Sequence, residues 1–157
     1  MTEVKTDLKK AVSDKSIALL NPALASATDL MLSTKEAHWN VRGPHFIALH
    51  LFFDTLNKEM GTVVDDLAER CVQLGGHALG TLGEAHKGTQ LHAYPGNLHA
   101  EKEHLQALLG QFTAFSIHMR QGIDAADQAG DKDTSDLFTQ ISRGLDKQIW
   151  FIEAHLA

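Results

Sequence analysis

Phe46, Leu49, Phe53, Leu56, Met60, Val63, Leu67 and Leu74 recur at spacings of three, four or seven residues, between Gly43-Pro44 and Gly75-Gly76. That is the period of an α-helix with one apolar face. A helix over 45–74 is roughly 45 Å long at ~1.5 Å per residue. The remaining sequence reads as further helices. Asn21-Pro22 looks like an N-cap with proline at the first helical position. It would open a helix over 22–41 carrying Leu24, Ala27, Leu30, Met31, Thr34, Ala37 and His38 on one side.

Residues 77–97 are rich in Gly, Thr and His and contain Tyr94-Pro95, so they read as a long connection with room for a short helix. Helices over 98–129 and 134–155 follow, separated by the acidic break "DQAGDKD". No strand pattern, internal repeat or low-complexity tract competes. Four helices with one long middle connection make an all-α, up-down bundle with a crossover between helices two and three. The expected organisation is one domain over 1–157, with 1–15 a polar, mobile arm of net charge +1.

With 43% hydrophobic residues, 157 residues suffice for a single core. The net charge of −6 argues against a uniformly basic nucleic-acid module and suits a protein that attracts cations. Cys71 is the only cysteine, which excludes an intrachain disulfide and favours a reducing compartment. No apolar run reaches the ~18 residues of a membrane span. The N-terminus "MTEVKTDLKK" has no apolar signal region. A soluble, cytoplasmic protein is expected, with no membrane partner.

The second helix carries two acid-containing pairs. His50 and Asp54 are four residues apart, as are Asp65 and Glu69. Both pairs share one side, because the eleven-residue step from Asp54 to Asp65 leaves a residual rotation of only ~20°. Along the axis the gap is about 16 Å, whereas metal–ligand bonds are only ~2.0–2.2 Å. One chain cannot close one site with both pairs. Two copies of the helix, antiparallel about a two-fold axis near Met60-Gly61, can close two.

The ligand side lies ~130° from the apolar stripe, on a flank that a second subunit could cover. His38 precedes the Arg42–Pro44 turn and His50 follows it, so a helix hairpin brings them level. Two imidazoles with three carboxylates suit iron or another first-row divalent ion. The plainer alternative is solvated surface acids, with Glu69 paired to Arg70.

The stretch "AHWNVRGPHFIALHLFFD…DDLAERCVQLGG", with "LGGHALGT" and the ending "SRGLDKQIWFIEAHL", resembles the Dps family, miniferritins also called DNA-binding proteins from starved cells. The resemblance implies a ferritin-like four-helix bundle assembled into a hollow dodecamer, with di-iron ferroxidase centres at two-fold interfaces. Position by position, His38, His50, Asp54, Asp65 and Glu69 match the family's metal ligands. Trp39 matches the tryptophan thought to absorb stray oxidising equivalents. The implied activity is oxidation of Fe(II), preferably by hydrogen peroxide, with storage of ferric mineral and protection against oxidative damage.

Other features are weaker. Glu101-x-x-His104 has a di-iron spacing but no second copy, and reads as a surface pair. Asp124, Asp127, Asp131, Asp133 and Asp136 crowd a loop that looks longer than usual in the family. They read either as a solvated run or as acids lining a three-fold pore for cations. His45, His77, His86, His92, His99 and His118 read as surface or core positions, and Trp150 and Phe151 as packing. The short arm and the C-terminus "FIEAHLA", which lacks a basic residue, leave room only for weak, salt-sensitive DNA binding and association with the nucleoid.

Overall fold

The computed structural model describes residues 6–157. Its helices are α1 (Lys10–Asn40), α2 (Phe46–Gln73), α3 (Leu82–Gly88), α4 (Glu101–Ala129) and α5 (Lys132–Leu156). Helices α1, α2, α4 and α5 form the bundle, and α3 rests on α1 within the crossover. An isolated bridge between Arg42 and Ala100 ties the α1–α2 turn to the start of α4. Among the described residues no helix is long and apolar enough to cross a membrane.

The first helix departs from expectation. It begins at Lys10, inside the proposed arm, and runs through Pro22 without stopping. Residues 1–5 of that arm lie outside the described residues. Proline removes one N–H, so the Ala18 carbonyl loses its helical donor. Leu20, Ala23, Leu24 and Ala27, all buried, hold the helix together across this gap. Asn21 does not cap it. The Asn21 amide donates to the His77 carbonyl at 3.2 Å and accepts from the Leu79 N–H at 3.1 Å. A predicted N-cap is thus a pin for the crossover.

The other ends follow from local chemistry. After α2, Gly75 takes a left-handed φ of 84° and Gly76 N–H donates to the Cys71 carbonyl at 3.0 Å. This closes the orphan carbonyls of the last turn. At the start of α2, Glu101 of α4 accepts from His45 N–H at 2.6 Å, placing a carboxylate at the positive helix end. A side chain at Gly43 would collide with that same Glu101. Between α4 and α5 the connection is only Gly130-Asp131, so the long acidic loop does not exist.

The core runs the length of the bundle, with Phe53, Leu56, Met60, Phe112, Phe115 and Phe138 almost fully enclosed. At Gly122 it is tight: an added Cβ would lie 2.9 Å from the Phe138 ring. Gly122→Ala gains up to ~1 kcal/mol of helix propensity. It loses about 1–3 kcal/mol to overpacking. Net destabilisation in urea is expected, whereas Gly110→Ala, which meets nothing within 4 Å, should stabilise.

Candidate metal centre

The end of α1 and the start of α2 bring His38 and His50 face to face, ring centroids 3.7 Å apart and 21° from parallel. His38 Nδ1 lies 2.6 Å from the His50 carbonyl, and His50 Nδ1 lies 2.8 Å from the His38 carbonyl. A carbonyl only accepts, so both Nδ1 atoms donate. In each neutral ring Nε2 therefore keeps its lone pair, the form a metal needs. The His38 carbonyl is free for this because it belongs to the last turn of α1, beyond the helical ladder.

Asp54 follows His50 by one turn of α2. Its carboxylate accepts from Lys35 Nζ at 2.6 Å and Lys58 Nζ at 2.8 Å. Those two ammonium groups hold the carboxyl far below the usual carboxylate range, so it is ionised throughout the working range of pH. Neither lysine stands out in the sequence. Lys58 was accessible as an i, i+4 partner of Asp54; Lys35 comes from α1, and only the hairpin reveals it.

Asp65 and Glu69 are exposed, about 16 Å further along α2 by helical rise. The structure does not bring them to His38, His50 and Asp54. Among the described residues no three His, Cys, Asp or Glu side chains of one chain cluster tightly enough to hold an ion. Glu69 does not pair with Arg70, whose guanidinium bonds instead to Asp131 at 2.8 Å and Thr134 at 3.0 Å. The same flank exposes apolar residues: Trp39 is 69% exposed, Ile47 63% and Leu51 59%. Ile47, His50, Leu51 and Asp54 share one face of α2 at helical spacing. Glu69 borders an open groove with Ala68, Val72, Gln73 and Ala78.

Several readings are corrected. Glu101 and His104 are not a surface pair: Glu101 caps α2 and also meets His45 Nδ1 at 3.1 Å, while His104 is buried beside Tyr94. Asp131 lies in the short connection but is neither solvated nor free to line a pore. It is buried, caps α5 through Thr134 N–H, and also accepts from Ser16 and Arg70. Asp127 meets Lys132, leaving Asp124, Asp133 and Asp136 exposed. Trp150 is 63% exposed rather than packed. His45, His77, His86, His92 and His99 are on the surface, and His118 is partly buried.

The sequence profile of the ferritin-like domain matches residues 17–157. A DNA protection during starvation protein of Agrobacterium fabrum is 45% identical, over 98% of this chain and 95% of that protein. Among solved structures, DpsC from Streptomyces coelicolor superposes with a TM-score of 0.95 at 27% identity, over 99% of this chain and 91% of that one. A Dps structure from Mycobacterium smegmatis gives 0.93 at 29% identity, over 99% and 94%. The chain belongs to the ferritin-like family, in the branch of the Dps proteins.

Proposed function

We propose that the protein is a ferroxidase and iron store whose active centres are shared between subunits. His38, His50 and Asp54 of one chain would meet the partner's Asp65 and the partner's Glu69 across a two-fold axis. The observation that carries this is the division of the donors. Two imidazoles whose Nδ1 atoms are tied to carbonyls stand one helical turn from a carboxylate held by two lysines, while two further carboxylates are exposed and out of reach on the same rod.

The donor set is mixed nitrogen and oxygen, which suits Fe(II) as substrate and Fe(III) as product. Hydrogen peroxide is the preferred oxidant in this reading, because taking two electrons from two Fe(II) ions avoids releasing hydroxyl radical. Trp39, exposed beside His38 in sequence, is placed to absorb equivalents that escape. The chain works as one ferritin-like domain in a hollow dodecamer in the cytoplasm, and ferric mineral collects inside. Asp124, Asp133 and Asp136 remain the acids suited to a cation pore; Asp131 is already committed. The deciding experiment is anaerobic Fe(II) titration followed by peroxide, on protein whose mass in solution is known. Saturation near two Fe(II) per shared site, with oxidation on adding peroxide, is expected. No uptake by the assembled shell would refute the proposal.

DNA compaction is the second reading, favoured by the name of the Agrobacterium fabrum relative. Charge opposes it, at −6 per chain and only +1 on residues 1–15. Weak retardation of DNA at low salt, abolished by ~200 mM salt, is expected in a gel shift. Tight binding that survives that salt would reverse the order of the two functions.

A further inference from the structure

Tyr94 is the only tyrosine in the chain. It lies in the crossover before α4, half-buried, with its hydroxyl 2.6 Å from His104 Nδ1. His104 is 1% exposed, and its ring packs 6.4 Å from that of Phe53, the neighbour of Asp54. His104 Nε2 is buried with no partner. If the phenol donates, one buried group is left over, the Nε2 hydrogen. If the ring donates, both the phenol hydrogen and the Nε2 lone pair are left over. The short separation also fits an O–H donor. The phenol therefore donates to Nδ1.

We propose that Tyr94 and His104 form an internal one-electron donor, in which oxidation of the phenol is coupled to transfer of its proton to His104 Nδ1. A phenol that keeps its proton is hard to oxidise, and a base already hydrogen-bonded to it removes that obstacle. For a hydroxyl radical formed by stray one-electron reduction of peroxide by Fe(II), the step balances. The phenol gives one electron to the radical, which becomes hydroxide; the O–H bond breaks and an N–H bond forms at Nδ1. The imidazolium later returns one proton to hydroxide, giving water, and the phenoxyl radical remains on Tyr94.

The surroundings suit both halves of the step. Burial lowers the pKa of His104 and keeps the resting ring neutral, while the Leu98 carbonyl and the charges of Glu103 and Glu36 favour the protonated ring, against His99. Burial, with the charge of Glu36, pushes the Tyr94 phenol well above its ordinary value, so it holds its proton until oxidised. Glu36 sits one turn of α1 before Trp39, which places the pair near the metal flank.

This deepens the iron-oxidation reading and takes its cellular oxidant from it, but the test needs no iron. The assembled, iron-free protein is exposed to azide radical by pulse radiolysis, which oxidises the indoles of the chain's two tryptophans, Trp39 and Trp150. Growth of phenoxyl absorption at the expense of indole radical is expected, slower in heavy water. Tyr94→Phe should abolish it. His104→Gln, which can accept the hydrogen bond but not the proton, should slow it by ~100-fold or more, the scale of a positioned base. No phenoxyl in the native protein, no solvent isotope effect, or an unchanged rate in His104→Gln overturns the proposal. Lower stability in His104→Gln with unchanged radical kinetics likewise reduces the contact to packing.

Discussion

Asp54→Asn and Glu69→Gln should each slow peroxide-driven Fe(II) oxidation by at least ~10–100-fold, the scale on which damage to a ligand shell acts. The shell should stay assembled, because neither residue is in the core. The proposed sharing of sites gives a second and stricter test. Co-assembled from equal amounts, the two inactive variants form mixed dimers about half the time. Each mixed dimer has one centre with both defects and one with none. About a quarter of all centres are then intact, and a corresponding share of activity should return. Equal residual activity in the mixture and in the single variants would mean that each centre belongs to one chain.

Asp131→Ala should be the most destabilising single change outside the apolar core. Asp131 is 1% exposed and binds Ser16 of α1, Arg70 of α2 and Thr134 of α5. Breaking a buried ion pair from one side costs about 3–5 kcal/mol, because the other charge stays behind. Thermal or urea unfolding measures it. Removing Arg70 as well should cost less than the sum of the single changes.

The pair also sets an acid limit. Burial pushes the Asp131 carboxyl up, but the Thr134 and Ser16 hydroxyls, the Thr134 N–H and Arg70 together draw it below the ordinary 3.8. The folded value lies below the unfolded one, so the stabilisation is complete above about 3.8 and fades as pH falls from there through the folded value. Asp131→Ala should flatten stability in that window. An unchanged acid slope would mean that other carboxylates set the limit.

The parts legible in the sequence are those ruled by helical period. The apolar stripe and the double glycine gave α2 nearly to the residue, and the level placement of His38 and His50 followed from counting back and forward from the turn. The failures share one cause: a side chain whose partner lies far away in sequence. Asn21-Pro22 has the local form of a helix start, but Asn21 answers to His77 and Leu79, and packing carries α1 through the proline. Asp131 looks like one more loop acid until Ser16 and Arg70 are folded against it. Glu101 and His104, three residues apart, serve opposite neighbours. Lys35 is invisible beside Asp54 until the hairpin closes. The proposed meeting of His38, His50 and Asp54 with Asp65 and Glu69 needs a second chain, because the helix keeps the two groups apart.

The two lysines on Asp54 have a consequence for how a lone chain behaves before assembly. Its half of the proposed centre sets two ammonium groups against one carboxylate, a net positive charge, so stray divalent ions would find nothing to draw them there. In the proposed dimer the partner's two carboxylates would reverse that sign, and an incoming ion would displace the tethered ammonium groups. Loading would then be a swap of cations, with the subunit contact as the licence for it.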